Sequence, residues 1–360
     1  MLNIGMIGTG LIARYHAQAV KICGMPCRIT AICDIDEGKM EQYAADMELG
    51  DVQKYTDYRQ LIDQSGADMV SVCTSNDAHK EITVYAANKG IPVLCEKPLG
   101  LNAGEVRTMA KACEEAGIIN MTGFTYRRIP AMDMIKKLID DQTLGRVYHY
   151  KGRFYADRLA PAGAPAEWRH FEEIAGSGVL GDLASHTLDM ALYLLGGQCS
   201  KIKDVYADAS IFVPHRKDGK TGEMKTVTAD ETCNIIAHFE DGTEMVLENS
   251  RYAPFEVEIH ISGEKGAIKY NLSRYDEFEL MLYESVADYF KTYRTIKVRV
   301  PEENGRPVPT DRMARQYRYM AECLKNRQEA HPTIRETVYI QELLDAMKAS
   351  YKSEKKIYLE

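Results

Sequence analysis

The sequence predicts a two-domain α/β protein. A doubly wound parallel sheet comes first, and an α+β domain with a large, mainly antiparallel, open-faced sheet follows. In the first third of the chain, short apolar runs alternate with amphipathic stretches, as a parallel sheet covered on both faces requires. After about residue 123 this spacing gives way to longer segments with period-two alternation. The 360 residues are enough for about two domains at roughly 150 residues each.

The first domain, predicted over residues 1–123, is built from five apolar runs. We expect buried strands at 2–7, 28–33, 69–73, 92–94 and 118–121. Helical patterns lie between them, for example at 37–47 and 78–88, and the second of these ends at Lys89-Gly90, a basic residue followed by a glycine stop. Strands that alternate with helices through such short connections predict the doubly wound sheet.

The second domain, predicted over residues 124–360, begins with a helix at 129–138 and an alternating strand at 147–155. A loop rich in Pro, Ala and Gly and a strong helix at 180–195 follow. Two hairpins are expected around Asp241-Gly242 and Gly263-Glu264-Lys265-Gly266. Helices at 311–325 and 334–350 are expected to pack back against the sheet.

Helices on only one face of this sheet would leave its other face to be covered. Burial against a second subunit is the common solution, so we expect a homodimer or homotetramer formed through the C-terminal sheet. The alternative is a sheet face that is covered with polar residues and remains in water.

Composition excludes several classes of protein. The net charge of −8 disfavours a nucleic-acid groove, because phosphate binding depends on clustered Lys and Arg. No apolar run approaches the roughly 18 residues of a membrane span, and no secretory signal is recognised. Nine cysteines, an odd number without a C-x-x-C pair, predict neither a disulfide framework nor a structural zinc site. We therefore expect a cytoplasmic protein without a metal.

The segment Gly8-Thr9-Gly10-Leu11-Ile12-Ala13 follows the first strand and opens a helix, as in a dinucleotide-binding turn. Gly8 permits the tight turn, Gly10 permits close approach of a pyrophosphate, and the helix N-terminus offers N–H groups. Asp34 ends the second strand, where an acid binds the ribose hydroxyls. A carboxylate there repels a 2′-phosphate, so NAD is favoured over NADP. The alternative is a turn that binds nothing, with Asp34 as a helix cap.

Two further segments carry candidate catalytic groups. Glu96-Lys97-Pro98 lies at the carboxyl end of the fifth strand, where ligands of parallel sheets bind, and a lysine there would polarise a substrate oxygen. Asp182 and His186 are four residues apart and share one helix face, which suits a general base and an orienting carboxylate. The alternatives are a solvated lysine, a capping aspartate and a structural histidine. Asp182 and His186 have no third ligand at a spacing that suits a metal.

Taken together, these segments resemble the Gfo/Idh/MocA oxidoreductases, the family of glucose–fructose oxidoreductase and inositol 2-dehydrogenase. The loop Thr74-Ser75-Asn76-Asp77-Ala78-His79 also matches, although Ser75 stands where proline is usual. Gly123-Phe124-Thr125-Tyr126-Arg127-Arg128 is similar to the family's entry into the second domain, and Trp168-Arg169 to its tryptophan–arginine pair. The resemblance covers nearly the whole chain and implies a Rossmann domain that binds NAD.

The resemblance implies hydride transfer between nicotinamide and a secondary hydroxyl of a sugar, sugar derivative or cyclic polyol. Lys97 would polarise the reacting oxygen, His186 would take the hydroxyl proton, and Asp182 would hold His186 or an adjacent hydroxyl. The implied cofactor-binding set is Gly8, Gly10, Leu11, Ile12, Asp34, Thr74, Asn76, His79, Glu96, Lys97, Trp168 and Arg169.

The substrate-binding candidates rest on weaker signals. They are Lys97, Arg128, Tyr155, His170, Asp182, His186 and Tyr283, and Arg158 and Arg306 are further possibilities. Tyrosine and arginine also occur on plain surfaces. Two other functions stay open: a redox-neutral enzyme that cleaves glycosides or anhydrosugars with tightly bound NAD, and a non-catalytic regulator that senses NAD.

Overall fold

The structure is a computed structural model, and it describes residues 1–219, 221–283, 292–299, 302–303, 306–307 and 311–359, the side chains of 302–303 and 306–307 excepted. The chain divides into two compact units. Unit 1 comprises Met1–Arg128 and Pro301–Glu342, and unit 2 comprises Ile129–Val300 and Leu343–Glu360. The predicted boundary near residue 123 lies close to the first of these divisions. The segment 301–342, however, belongs to unit 1 and not to the second domain as the sequence suggested.

The α-helices are α1 Leu11–Ile22, α2 Glu37–Asp46, α3 Tyr58–Gln64, α4 Asn76–Asn88, α5 Ala103–Ala116, α6 Pro130–Asp140, α7 Glu172–Ala175, α8 Ser185–Leu195, α9 Arg312–Asn326 and α10 Ile334–Ser353. The strands of unit 1 and the start of unit 2 are β1 Leu2–Ile7, β2 Cys27–Cys33, β3 Gln53–Tyr55, β4 Met69–Val72, β5 Val93–Cys95, β6 Asn120–Thr122, β7 Val147–Tyr155, β8 Ile202–Ser210, β9 His215–Lys217 and β10 Met224–Thr226. The remaining strands are β11 Thr232–Phe239, β12 Glu244–Ser250, β13 Glu256–Gly263, β14 Gly266–Asn271, β15 Glu277–Leu282, β16 Arg294–Lys297, β17 Glu302–Glu303, β18 Arg306–Pro307 and β19 Ile357–Tyr358.

Unit 1 contains a parallel sheet of order β3-β2-β1-β4-β5-β6, which confirms the predicted doubly wound fold. Strand β3 was not predicted, because its three residues are polar or half-buried and give no apolar run. The chain leaves β1 toward β2 on one side, and β4 pairs with β1 on the other side. The carboxyl ends of β1 and β4 therefore form the topological switch point at which open parallel sheets bind ligands.

Helix α9 completes one of the two apolar layers on this sheet. Met313, Tyr317 and Met320 of α9 join residues of α1 and the sheet in one buried cluster, while α4 and α5 contribute to the cluster on the opposite face. The sequence analysis placed this helix in the second domain and did not predict these contacts. The apolar stripe of a helix indicates that the helix packs against a core, but not which sheet it covers.

Unit 2 contains a nine-stranded sheet of order β16-β15-β14-β13-β7-β12-β11-β8-β19, in which only the β7–β12 pair is parallel. This confirms the predicted large, mainly antiparallel sheet. Along β7 and β13 buried residues alternate with half-buried ones, so one face is packed and the other is partly covered. The predicted helix at 180–195 is a π-helical turn, Leu180–Ala184, that continues into α8.

Across the described ranges, no helix combines the length and the apolar character that a membrane crossing needs.

Candidate active site

The two glycines of the turn after β1 serve different purposes. Gly8 has φ +90°, and a Cβ added there would lie 2.6 Å from the carbonyl oxygen of Cys73 at the end of β4. Gly10 is the N-cap of α1, and an added Cβ would meet nothing within 4 Å. Gly8 is therefore required by the fold, while the space above Gly10, Leu11 and Ile12 is open to a ligand at the helix N-terminus.

The carboxylate of Asp34 is held in a single orientation. Its Oδ2 accepts hydrogen bonds from the backbone N–H of Thr9 at 2.8 Å and from the Thr9 hydroxyl at 2.7 Å, and its Oδ1 accepts from the N–H of Asp36 at 3.0 Å. The cap of α2 is Asp36, whose side chain accepts from the N–H of Lys39. Asp34 is thus not the helix cap of the alternative interpretation, and it joins the turn after β1 to the end of β2.

Ile35, which the sequence analysis did not single out, follows directly. Its apolar side chain is 92% exposed beside Asp34. An exposed aliphatic side chain beside this carboxylate offers an apolar surface at the end of β2. A signal for it existed in the sequence, since isoleucine stands here between two aspartates.

His79 connects the loops after β4 and β5 rather than facing an open site. It is fully buried, with Nδ1 3.0 Å from the Pro98 carbonyl oxygen and Nε2 3.2 Å from that of Thr74. Burial lowers the pKa of His79, which keeps the imidazole neutral. The hydroxyl of Thr74 is buried and has no hydrogen-bond partner among the described atoms, and Asn76 begins α4 nearby. An unsatisfied hydroxyl at the switch point fits a polar ligand.

Lys97 lies between two anchored neighbours. The side chain of Glu96 is buried and its Oε1 lies 2.9 Å from His16 Nε2, while the carbonyl of Pro98 is held by His79. Burial opposes ionisation of Glu96, but the hydrogen bond from His16 and the positive charges of His16 and Lys97 outweigh it. The pKa of Glu96 consequently lies below its ordinary value. Lys97 itself is half-buried.

In unit 2, a buried carboxylate shapes the turn that leads to Asp182. Asp230 accepts from the N–H groups of Gly178 and Leu180, both at 2.7 Å, and a Cβ on Gly178 would lie only 1.7 Å from the Asp230 carbonyl oxygen. Burial raises the pKa of Asp230, although these N–H groups oppose the rise. The sequence analysis missed Asp230, because no motif surrounds it and 52 residues separate it from Gly178.

The side chains of Asp182 and His186 have different surroundings. His186 is 8% exposed and stacks on Phe154 with ring centroids 5.7 Å apart. Asp182 Oδ2 lies 3.6 Å from Arg169 Nε and 3.4 Å from Arg251 Nη2. Buried Arg251 also donates to the carbonyl of Arg169 at 3.3 Å. Two guanidinium groups therefore surround the Asp182 carboxylate, and Arg251 is a site residue that sequence reasoning did not identify.

The neighbouring candidate residues Trp168, Arg169 and His170 differ in their contacts and burial. The guanidinium of Arg169 lies over the ring of Trp168, 4.3 Å from its centroid. His170 is fully buried and its Nδ1 accepts from the N–H of Glu167. Burial lowers the pKa of His170, and the charges of Arg251 and Arg216 lower it further. His170 is thus a neutral, buried residue rather than an exposed contact, and its Nε2 has no hydrogen-bond partner among the described atoms.

The structure does not bring Tyr155 together with His186. Tyr155 follows Phe154 on β7, so the two side chains point to opposite faces of the sheet, and the Tyr155 hydroxyl donates to Glu248 at 3.3 Å. Tyr283 is exposed just after β15, and Arg158 pairs with Glu167 at 2.8 Å. The side chain of Arg306 lies outside the described residues.

In unit 1, Arg128 anchors the C-terminal segment. It donates to the carbonyl of His331, and its guanidinium lies 3.7 Å from the centroid of the Tyr319 ring. These contacts join residues of the segment 311–342 to the rest of unit 1.

Comparison with known proteins agrees with this geometry. A family model described as "Oxidoreductase family, NAD-binding Rossmann fold" matches residues 2–124, and a GFO/IDH/MocA C-terminal domain matches residues 132–269. Levoglucosan dehydrogenase of Pseudarthrobacter phenanthrenivorans is 30% identical over 315 residues, which are 82% of this chain and 80% of that protein. Myo-inositol 2-dehydrogenase of Thermotoga maritima is 29% identical over 269 residues, 74% of each chain.

Solved structures show the same fold. Levoglucosan dehydrogenase in complex with NADH and L-sorbose has a TM-score of 0.89 at 26% identity and covers 100% of this chain and 99% of its own. An oxidoreductase domain protein from Kribbella flavida has a TM-score of 0.90 at 26% identity with the same coverage. The two family models and the relative at 30% identity lead to one conclusion. This chain belongs to the Gfo/Idh/MocA family of NAD-binding oxidoreductases.

Proposed function

We propose that this chain is an NAD-dependent dehydrogenase that transfers hydride between nicotinamide and a secondary hydroxyl of a sugar, sugar derivative or cyclic polyol. The observation that carries the proposal is the dinucleotide site of unit 1. It combines the open space at Gly10, the N-terminus of α1 and the fixed carboxylate of Asp34. The names of the relatives, a levoglucosan and a myo-inositol dehydrogenase, support the class of substrate.

The chain's own residues fit NAD. The helix N-terminus would receive the pyrophosphate, Asp34 the ribose hydroxyls, and the unsatisfied Thr74 hydroxyl a further polar group. A carboxylate at Asp34 repels the 2′-phosphate of NADP. When bound, NAD supplies the hydride acceptor, so the protein need only bind, orient and move one proton.

Three side chains bind the substrate oxygens and move the proton. In this proposal the Lys97 ammonium donates a hydrogen bond to the reacting oxygen and stabilises its developing negative charge. An imidazole nitrogen of His186 takes the hydroxyl proton, which suits a group that titrates near neutral pH. Asp182, held by Arg169 and Arg251, is an ionised acceptor for a substrate hydroxyl.

The first test uses the purified protein. Bound nucleotide is released by denaturation and identified, and the protein is then assayed with NAD against levoglucosan, myo-inositol, scyllo-inositol and glucose by the absorbance of reduced nicotinamide. Steady reduction with one of these compounds is expected. Substrate consumption without net reduction would instead indicate the redox-neutral enzyme, and NAD binding without any turnover would indicate a regulator.

Variants of Lys97 and His186 test the assigned roles. We expect Lys97→Ala and His186→Ala each to lower kcat by about 100-fold or more, since proton transfer and charge stabilisation contribute that much. The Kd for NAD, measured by calorimetry, should change little. Lys111→Ala and His215→Ala, two variants of the same residue types at exposed positions, serve as controls. Near-normal turnover in the Lys97 and His186 variants would contradict the mechanism.

We further propose that the chain forms a homodimer or homotetramer through the outer face of the unit 2 sheet. Arg153 on β7 pairs there with Glu248 at 2.9 Å, Glu256 at 3.1 Å and Glu258 at 3.4 Å. A face that carries both signs of charge can be complementary to a second copy of itself. Light scattering after size exclusion should give a multiple of the monomer mass, and Arg153→Glu should shift it toward the monomer. A monomeric wild-type protein would overturn this proposal.

A cytoplasmic location is also part of the proposal. All nine cysteines have free thiols in the structure, and most are buried within apolar clusters. Free thiols persist in a reducing compartment.

A further inference from the structure

Unit 1 contains a buried chain of polar side chains that the proposed mechanism does not use. The hydroxyl of Ser71 lies 2.7 Å from that of Tyr317, which lies 2.7 Å from His16 Nδ1, and His16 Nε2 lies 2.9 Å from Glu96 Oε1. Ser71, Tyr317 and His16 are fully buried and Glu96 is 6% exposed. The chain begins on β4, passes through α9 and α1, and ends at the residue before Lys97.

The hydrogen bonds of this chain form one unbroken series from Ser71 through Tyr317 and His16 to Glu96. Burial raises the pKa of Tyr317, so its hydroxyl keeps its proton. The pKa of Glu96 is lowered, so its carboxylate is an acceptor and His16 Nε2 donates to it. Each of the four side chains thus has a partner within the series.

Glu96 is held by its backbone and packs closely against Gly123. Its backbone N–H donates to the Val72 carbonyl at 3.0 Å, and the N–H of Gly123 donates to the Cys95 carbonyl at 2.8 Å. A Cβ on Gly123 would lie 2.5 Å from Glu96 Oε1, so the carboxylate packs against a glycine. Lys97 is the next residue in the chain, and its positive charge contributes to lowering the pKa of Glu96.

If these polar groups only supported the fold, their burial would be an unfavourable way to do so. Burial of a carboxylate is unfavourable, and its pairing only offsets that effect. Apolar side chains fill most of the surrounding cluster. The series ends at the Glu96 carboxylate, and Glu96 is joined through the backbone to Lys97.

We propose that His16 and Tyr317 are positioning residues for the reaction, which act through Glu96 to fix the place of the Lys97 ammonium. This inference rests on the dehydrogenase activity proposed above. It assigns a role to α9, which lies far along the chain and contributes Tyr317 to the core of unit 1.

The variant Tyr317→Phe tests the inference, because it removes one hydroxyl and keeps the ring. The matched control is Tyr43→Phe. Tyr43 is also fully buried in unit 1, and its hydroxyl donates to the Ala13 carbonyl at 3.0 Å, outside the chain that ends at Glu96. Ser71→Ala is a second and milder variant, which removes only the hydroxyl at the far end of the series from Glu96.

Three quantities are measured on the full-length protein: kcat and KM with the compound that is reduced in the first assay, the Kd for NAD, and amide exchange by mass spectrometry. For Tyr317→Phe we expect kcat to fall about 10- to 100-fold, as small displacements of a reacting group do, with the Kd for NAD close to that of Tyr43→Phe. Amides of the peptide around residues 95–101 should exchange faster than in the control. Ser71→Ala should change kcat and exchange in the same direction by a smaller factor.

Equal kcat and equal exchange in Tyr317→Phe and Tyr43→Phe would overturn the inference. That result differs from a failure of the proposed function, which would appear as normal turnover in Lys97→Ala or as no turnover with any compound. In the second case the exchange measurement still decides whether the chain from Ser71 positions the 95–101 segment.

Discussion

At the scale of single residues, the two glycines of the turn after β1 have different surroundings and are glycine for different reasons. Gly8 is required because of its positive φ and the Cys73 carbonyl beside it, whereas Gly10 has open space where a side chain would be. The first glycine is therefore required by the fold, while the proposed function gives the second one to the ligand. This difference leads to a variant that separates binding from stability.

We expect Gly10→Ala to leave the free energy of unfolding within about 0.5 kcal/mol of wild type, because nothing opposes the added methyl group. Its affinity for NAD should fall about tenfold or more, since the methyl group occupies space that the pyrophosphate needs. Urea unfolding and calorimetry measure the two quantities. Gly38→Ala, at the start of α2 and away from the turn, is the control. Unchanged NAD affinity in Gly10→Ala would place the pyrophosphate elsewhere.

The carboxylate of Asp34 should determine the choice between NAD and NADP. Asp34→Ser removes the charge that repels a 2′-phosphate, so the ratio of kcat/KM for NAD to that for NADP should fall by about tenfold or more. Glu37→Gln removes an exposed negative charge that has no hydrogen bond to Thr9, and it should change the ratio far less. The same ratio in wild type and Asp34→Ser would show that another residue contacts the ribose.

At the scale of elements, the predicted helix at 180–195 contains a π-helical turn at its start. Such turns occur often at functional sites, and this one carries Asp182 toward Arg169 and Arg251. The turn is held from outside by Asp230, whose two acceptor oxygens bind Gly178 and Leu180. The four-residue spacing of Asp182 and His186 therefore does not by itself predict how their side chains lie relative to each other.

Asp230→Asn should lower the free energy of unfolding by about 1–3 kcal/mol, because an amide offers one acceptor oxygen and turns an N–H₂ group toward the second backbone N–H. Urea unfolding at neutral pH is the measurement. Asp208→Asn, an exposed aspartate on β8, is the control, and we expect it to be neutral. If the two variants were equally stable, Asp230 would not be what holds the π-helical turn.

At the scale of the whole molecule, each unit is built from two segments that are not consecutive in the sequence. Unit 1 takes its first 128 residues from the N-terminus and a further segment, 301–342, from near the C-terminus. The joining contacts include Arg128 with Tyr319, Thr122 with Thr337 at 2.8 Å, and Tyr317 with His16. The cofactor-binding unit is therefore complete only when nearly all of the chain is present.

A fragment of residues 1–128 should accordingly fail to bind NAD as a stable monomer, since without α9 it exposes the apolar layer around α1. Residues 1–128 joined by a flexible linker to residues 311–342 should fold and bind NAD. Circular dichroism and calorimetry compare the two polypeptides. Full NAD affinity in the shorter fragment would show that α9 is dispensable for this unit.

The repeating patterns of the sequence predicted much of the fold. Apolar runs placed β1 at its observed bounds, and alternation did the same for β7, because the period of a strand is visible in its own residues. The strand β3 is too short and polar to show a pattern. Of the site, Gly8, Gly10 and Asp34 were recognisable, since a dinucleotide turn is contiguous and its acid follows at a known distance.

Residues that act across long separations were not predictable in this way. Asp230, Arg251, His16 and Tyr317 have no motif around them, and their roles come from partners 52 to 301 residues away. His170 and Tyr155 were chosen for their chemical type, and only the structure shows that one is buried and the other is on the opposite face from His186.

The sequence alone thus determined the class of fold, the family resemblance and the turn at the N-terminus of α1, because each depends on neighbouring residues or on a short period. The tertiary structure decided which sheet α9 covers, how Asp182 is held and what surrounds Glu96. These depend on contacts between distant segments, and such contacts form only when packing and hydrogen bonding select one arrangement among many compatible with the same local patterns.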